Sequence, residues 1–143
     1  MALGSIQGLK YLYVADTYNH MIRQISLSSR STSSIAGTAG SYGSSNGVGT
    51  FAKLNMPVGI VTDGQGNLFI ADFGSDTIRR LDLSSGVLTE VTVVGVRWDH
   101  PSGIALDGMG NMFIADTYSD SIKMITLSSD WSNPSYSLSL IHI

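Results

Sequence analysis

Three aspartates, each followed seven residues later by a basic residue, are the side chains whose spacing could serve chemistry. The pairs are Asp16 with Arg23, Asp72 with Arg79, and Asp116 with Lys123. A carboxylate present in every copy can face a shared channel or cap its own turn, whereas catalysis needs unlike groups at one place. We therefore predict that the aspartates cap their turns. The bases form either a solvated column that keeps strand edges apart, which is the favoured interpretation, or a cationic rim for an acidic partner.

Other motifs that resemble reactive sites lack groups that the chemistry needs. Residues 37–43 are glycine-rich, but no Lys-Ser/Thr pair follows them, so they do not predict a phosphate cradle. The Asp-Gly-x-Gly-Asn segments at residues 63–67 and 107–111 lack the alternating carboxylates of a calcium loop. The sequence has no Gly-x-Ser-x-Gly elbow, and neither His20 nor His100 has a second histidine nearby. We predict structural roles for both histidines, the first bonded to backbone, and no catalytic, metal-binding or cofactor-binding residue.

The candidate residues belong to a repeated segment. Residues 57–85 read PVGIVTDGQGNLFIADFGSDTIRRLDLSS, residues 101–129 read PSGIALDGMGNMFIADTYSDSIKMITLSS, and residues 11–29 form a third, partial copy. Each copy has a short apolar run that ends at aspartate, a polar turn, and a loosely alternating run that ends in Ser-Ser. This pattern predicts short strands joined by hairpins, with Asp-Gly as the strongest turn signal.

Four strands are predicted in the full unit. They cover residues 57–63, 68–71, 77–83 and 87–95 in the central copy, 11–15, 21–27 and 32–37 in the first, and 112–115 and 121–127 in the last. Residues 11–15 are apolar at consecutive positions, which predicts a strand buried on both faces. Residues 37–50 are rich in glycine and serine, which predicts a long loop. Short strands in ~44-residue units, with no helical segment, predict an all-β fold: a partial β-propeller of four-stranded antiparallel blades.

Composition excludes some classes of protein. The chain has 143 residues, a formal charge of -3 and 13% charged residues, so it offers little long-range attraction for a phosphate backbone and nucleic acid is disfavoured as a partner. It has no cysteine, which excludes a disulfide framework, a thiolate nucleophile and a cysteine-based zinc site. No apolar run approaches the ~20 residues of a membrane span, and no signal-peptide pattern is present.

The repeated motifs resemble the NHL repeat. The matching elements are Pro-x-Gly-Ile at the strand opening, Asp-Gly-x-Gly-Asn, aromatic-Ile/Val-Ala-Asp, and above all the segment from Asp16 to Arg23, DTYNHMIR, which is close to the segment that gives the repeat its name. Two copies depart from it, with Ser75-Asp76 and Ser119-Asp120 in place of Asn19-His20. The resemblance covers about residues 11–129. It implies six-bladed β-propellers, of which about three blades are present here, and a habit of binding.

The repeats also predict how the chain is organised. We expect a partial propeller over residues 1–137, with blade 1 at about 1–37, a Gly/Ser loop at 37–50, blade 2 at about 57–95 and blade 3 at about 101–131. The last six residues, LSLIHI, resemble the translation of a sequencing-library transposon end, so we expect residues 138–143 to be a non-native tail. An arc of blades leaves sheet faces open, and we expect the fragment to self-associate through them.

The favoured function is that of a binding scaffold without enzymatic activity, which presents loops to a protein or small ligand. The candidate interaction surface comprises Tyr18, Asn19, His20, Arg23, Tyr42, Asn46, Arg79 and Lys123. The alternative is a propeller enzyme, a lyase or lactonase-like hydrolase, with an axial metal completed by missing blades. RNA binding is a third possibility and would need a basic face. The residues do not identify the ligand.

Overall fold

A computed structural model describes residues 1–127 in full and the backbone of residues 137–141. It consists of antiparallel sheets joined in sequence, and each sheet corresponds to one copy of the repeat. The first sheet, blade 1, has the order β1-β2-β3-β4. Its strands are β1 (Ala2–Ile6), β2 (Leu9–Asp16), β3 (Met21–Ser26) and β4 (Thr32–Gly37).

Blade 2 is the central sheet. After the short strand β5 (Gly47–Val48), its main strands are β6 (Pro57–Thr62), β7 (Asn67–Asp72), β8 (Thr77–Asp82) and β9 (Val87–Glu90). β5 pairs with β9 and extends the sheet to five strands in the order β5-β9-β8-β7-β6. The Gly/Ser stretch at 37–50 is therefore not wholly a loop, because part of it adds an edge strand. The predicted fourth strand of this blade was too long, since β9 ends at Glu90 rather than at residue 95.

Blade 3 contains β10 (Pro101–Leu106), β11 (Asn111–Asp116), β12 (Ser121–Thr126) and β13 (Ser137–Ile141), in that order. The backbone of residues 137–141 pairs antiparallel with β12. Residues 138–141 of the predicted non-native tail therefore lie in a strand, and residues 142–143 lie outside the described residues. The origin of these six residues and the expected blade boundaries stay predictions.

The sheets approach one another closely at their first strands, as the strands around a common axis must. Gly59 in β6 shows how close this approach is, because a Cβ at this position would lie 2.1 Å from the backbone oxygen of Ser102 in β10. Glycine is thus required at this position. The equivalent Gly103 has more space, since its Cβ would lie 3.4 Å from the Cβ of Ala115.

Two apolar cores form where adjacent blades pack together. The first core lies between blades 1 and 2, and the second lies between blades 2 and 3. β7 contributes to both, since Leu68 and Ile70 face the first core while Phe69 and Ala71 face the second, and all six of its residues are buried. The prediction that residues 11–15 are buried on both faces was wrong. Tyr13 is fully buried, but the other four residues are partly exposed because the described residues place a neighbouring sheet on one side only.

Hairpin turns join the strands at one end of each sheet. In the 63–67 turn, Asp63 accepts hydrogen bonds through Oδ1 from the backbone N–H groups of Gln65 and Asn67, at 2.8 and 3.0 Å, and Gly64 has a φ of 72°. The predicted Asp-Gly turn is confirmed. No helix within the described residues has the length and apolar character needed to cross a membrane.

Candidate interaction surface

The opposite end of the sheets, here called the connection face, carries the turns between second and third strands and the connections between blades. Each second strand ends in aspartate and runs into a three-residue 3-10 helix, at Thr17–Asn19, Phe73–Ser75 and Thr117–Ser119. The next residue is left-handed in every copy, with φ of 59° at His20, 53° at Asp76 and 49° at Asp120. Aspartate and histidine tolerate this conformation better than most residues, which explains how the copies differ in sequence but not in backbone.

The left-handed residue fastens its blade to the next one. His20 accepts a hydrogen bond through Nδ1 from the backbone N–H of Met56 at 3.1 Å, and Asp76 accepts one through Oδ1 from the N–H of His100 at 2.8 Å. Both donors immediately precede a proline that opens the next blade. We call this contact the latch. The predicted bond between the His20 imidazole and backbone is confirmed, and the sequence equivalence of His100 with Met56 extends to their φ values of 54° and 53°.

The repeated aspartates do not cap the backbone of their 3-10 helices, which corrects the prediction in part. Two of them do bond to side chains of their own turns, because Asn19 donates to Asp16 Oδ1 at 2.9 Å and Ser119 donates to Asp116 Oδ2 at 2.5 Å. Two of them also accept a backbone N–H from the connection that precedes their blade. Asn55 donates to Asp72 Oδ1 at 2.8 Å, and Asp99 donates to Asp116 Oδ1 at 2.7 Å.

The bases seven residues later pair with these aspartates, so the solvated column and the cationic rim are both wrong for the second and third blades. Arg79 Nη1 lies 3.7 Å from Asp72 Oδ2 with both side chains fully buried. Lys123 contacts the buried Asp116 and is itself only 11% exposed. In blade 1, Arg23 Nε lies 3.5 Å from Asp16 Oδ2, and that pair is partly exposed.

The preceding connection explains this difference between the pairs. Arg79 donates to the backbone oxygens of Lys53 and Ser45 and to Oδ1 of Asn46, at 3.1, 3.3 and 2.8 Å. In blade 3, Lys123 donates to the backbone oxygen of Arg97 at 2.5 Å and lies 5.3 Å from the centre of the Trp98 ring. Each inter-blade connection therefore folds over the charged pair of the blade that follows it.

Burial dominates the electrostatics of the central pair. It raises the pKa of the Asp72 carboxyl to about 6, although the Asn55 N–H and the Arg79 guanidinium both favour the charged form. Burial likewise lowers the pKa of Arg79. The pair is thus a structural element under the connection and is not accessible to a ligand.

An exposed cluster of rings and carboxylates lies where blades 2 and 3 meet. We call it the junction patch, and it comprises Phe73, Asp76, Asp99, His100 and Tyr118. The His100 and Tyr118 rings stack with centroids 4.3 Å apart, and Phe73 meets both rings edge-on at 4.7 and 6.0 Å. His100 Nδ1 lies 2.8 Å from Asp99 Oδ1 and 3.3 Å from Asp76 Oδ1. Tyr118 is 64% exposed, so a ring surface remains available to a partner.

A cleft of about 340 Å³ adjoins the junction patch and shares Asp76 with it. It is lined by Asp76, Glu90, Val91, Thr92, Val93, Val96, Arg97 and Trp98. Three carboxylates (Asp76, Glu90 and Asp99) and one guanidinium (Arg97) lie in the patch and cleft together. This composition favours a ligand that carries positive charge.

The predicted site residues divide between surface and interior. Tyr18 and Tyr42 are 83% and 68% exposed, and Tyr42 lies 5.6 Å from His20, ring to ring, beside the first latch. Asn19 donates to Asp16 Oδ1 at 2.9 Å. Arg79 is buried and does not fit the exposed role assigned to it, and Lys123 is nearly covered. Asn46 is exposed, although its Oδ1 accepts a hydrogen bond from Arg79.

The junction patch was missed by sequence reasoning. Its rings come from different copies at unlike repeat positions, and His100 lies in a connection. Asp76, Asp99 and His100 could each offer a ligand atom to a metal, within 4.8 Å of one another, but these atoms already hydrogen-bond within the group or its backbone.

Comparison with solved structures defines the class of protein. The chain aligns over 92% of its length with a protein of unknown function from Bacteroides thetaiotaomicron, at a TM-score of 0.72 and 20% identity. It aligns over 99% of its length with virginiamycin B lyase from Staphylococcus aureus, with a TM-score of 0.63 and 20% identity, and over 96% with a chain of a nidogen/laminin complex, with 0.60 and 20%. It covers 33%, 40% and 48% of those chains. The fold is that of a partial β-propeller.

Two curated relatives are similar to part of the chain. The chain is 34% identical over 89 residues to NHL repeat-containing protein 2 of Gallus gallus, and 31% identical over 86 residues to Protein SUPPRESSOR OF QUENCHING 1, chloroplastic, of Arabidopsis thaliana. These matches cover 59% and 60% of this chain but only 12% and 8% of the relatives. No family model matches the chain. These matches confirm the resemblance to the NHL-repeat family.

Proposed function

We propose that this chain is a binding scaffold that holds a protein or small ligand on its connection face, at the junction patch and the adjoining cleft. The observation that supports the proposal is the meeting of an exposed ring stack with several carboxylates beside a cleft. A cation gains from both kinds of group, through charge attraction and through contact with an aromatic face. The ligand we propose is therefore a peptide segment with an exposed lysine or arginine.

The latch supports the same proposal because it fixes the patch. Asp76 belongs to blade 2 and bonds to the backbone of His100 at the entry to blade 3. The patch therefore spans two blades without depending on a mobile loop. A preformed site of this kind loses little conformational entropy when a ligand binds.

The proposal can be tested with short peptides of defined charge. We expect a peptide that carries arginine and lysine to perturb the amide resonances of residues 73–76 and 97–100, and a matched peptide with glutamate in their place to leave them unchanged. Tyr118→Ala and Asp99→Asn should each weaken binding by about tenfold, which is within the range of a cation–π contact or a partly exposed charge pair.

Tyr18 provides the matched control, because it occupies the repeat position of Tyr118 in blade 1. Tyr18→Ala should leave binding of the basic peptide unchanged. If Tyr18→Ala weakens binding and Tyr118→Ala does not, the ligand lies at the first latch, beside Tyr18, Asn19, His20 and Tyr42. Equal perturbation by both peptides would contradict the preference for cations.

A further inference from the structure

The first core shows how one blade packs on the next. Blade 1 contributes one face of β2 and β3, here called a leading face, and blade 2 contributes the opposite face of β7 and β8, here called a trailing face. The leading face consists of Tyr13, Ala15 and Ile22, and the trailing face consists of Leu68, Ile70 and Leu81.

The second core repeats this arrangement at the same repeat positions. Its leading face is formed by Phe69, Ala71 and Ile78 of blade 2, and its trailing face by Met112, Ile114 and Ile125 of blade 3. The same pair of complementary surfaces thus meets twice within one chain. The fully buried state of Phe69 and Ile78 shows how completely a trailing face covers a leading face.

One surface of each kind is left over among the described residues. Blade 3 presents a leading face made of Phe113, Ala115 and Ile122, and blade 1 presents a trailing face made of Leu12, Val14 and Ile25, all six of them partly exposed. Their identities follow those of the covered faces, with an aromatic residue, alanine and isoleucine on the one and aliphatic residues on the other. The molecule therefore carries both halves of an interface that it already forms twice.

We propose that copies of this chain associate head to tail, with the leading face of blade 3 in one copy packed on the trailing face of blade 1 in the next. The contact is heterologous because it joins two different surfaces. It continues the packing of the two internal cores, and it removes from water the side chains at positions 14 and 113, whose equivalents in blade 2 are fully buried.

Sedimentation equilibrium of the full chain and of two variants tests this proposal. The wild-type mass should rise above 15.2 kDa with concentration. Phe113→Lys places a charge in the leading face of blade 3, and Val14→Lys places one in the trailing face of blade 1. Each variant alone should therefore stay at the monomer mass, with the dissociation constant for self-association raised ~100-fold or more. An equimolar mixture should form a 1:1 complex and nothing larger, because each variant retains the half that the other lacks.

Other modes of association give different results. If a face pairs with itself, one of the two variants will still dimerise alone, and the proposal is wrong. A mixture that stays monomeric, or a wild-type chain that stays at 15.2 kDa at every concentration, also overturns it. Val94→Lys is the control, since Val94 is 95% exposed and belongs to neither face, and an equal loss of association in this variant would indicate non-specific attraction. Recovery of binding in the mixture shows that both variants are folded.

Discussion

Replacement of Arg79 by methionine should destabilise the fold far more than the same change at the equivalent Arg23. Arg79 and Asp72 are fully buried, so Arg79→Met leaves a buried carboxylate without its cation and also removes the donor to Lys53 and Asn46. Breaking a buried ion pair on one side costs about 3–5 kcal/mol. The Arg23 pair is partly exposed, and its loss should cost at most about 1 kcal/mol.

The pH dependence provides a second, independent signature. The folded-state pKa of Asp72 is about 6, above its ordinary value of 3.8, so the folded state binds this proton more tightly than the unfolded state does. The contribution of Asp72 protonation to the free energy of unfolding is therefore fully present below pH 3.8 and is lost as the pH rises through about 6. Without Arg79 the pKa rises further, because the neighbouring positive charge that lowers it is gone. The deficit of Arg79→Met should consequently shrink by about 1 kcal/mol between pH 7 and pH 5.

Urea unfolding followed by circular dichroism measures both effects. It should be run at several protein concentrations, so that association is separated from folding. Arg23→Met is the matched control at both pH values and should show no corresponding change. Equal losses in the two variants at pH 7, or a deficit of Arg79→Met that grows on acidification, would show that the buried pair does not hold the connection as described.

Two further predictions concern the contacts between blades. His20→Ala should lower the free energy of unfolding by about 1 kcal/mol and speed hydrogen exchange at the Met56 amide. His20→Asp should preserve most of the protection, because aspartate makes the equivalent latch in blade 2. Equal protection in the alanine variant and the wild type would rule out the latch. Gly59→Ala should lower the thermal midpoint by more than 10 °C, because the added Cβ would overlap the Ser102 oxygen. Gly103→Ala has ordinary contact distances and should shift the midpoint by only a few degrees. Similar shifts in both variants would contradict the close approach of the sheets at Gly59.

The strands and hairpins could be predicted because their causes are local. The Asp63 turn depends on bonds between residues two and four positions apart, and Gly64 supplies the positive φ. The prediction failed at Glu90, where β9 ends although apolar residues continue. The Val91 N–H still donates to the Ile78 oxygen at 2.8 Å, but the chain then leaves the sheet in a turn in which the Val96 N–H donates to the Val93 oxygen at 3.1 Å.

The burial of Arg79 could not be read from its own repeat. It depends on residues 45–53 folding back from a stretch whose composition predicts a loop. The sequence signal for the pair was the shared seven-residue spacing of aspartate and base. This spacing correctly placed the bases at equivalent positions, but it did not show that a connection would cover them. The junction patch was out of reach for a similar reason, since Phe73 and Tyr118 occupy unlike repeat positions and only the packing of blades brings them together.

The sequence contains features that indicate the latch, but they do not identify both partners of the contact. One repeat position holds histidine in the first copy and aspartate in the other two, and both residue types accept hydrogen bonds and tolerate a left-handed backbone. Met56 and His100 both precede a proline. Together these features indicate a shared contact. That the contact joins the turn of one blade to the entry of the next is evident only from the structure.

Each connection covers the charged pair of the following blade. The boundaries of a duplicated gene segment therefore decide whether the copied blade has its charged pair covered. A duplicated gene segment that began at a blade's first strand would encode the aspartate and the base without the chain that shields them. A segment that began just after the preceding fourth strand, near residue 38 or residue 91, would bring its own shield. The transferable unit of this architecture is therefore a connection together with the sheet that follows it, and recombination junctions that respect this boundary should yield folded arrays more often than junctions placed at the repeat's most recognisable motif.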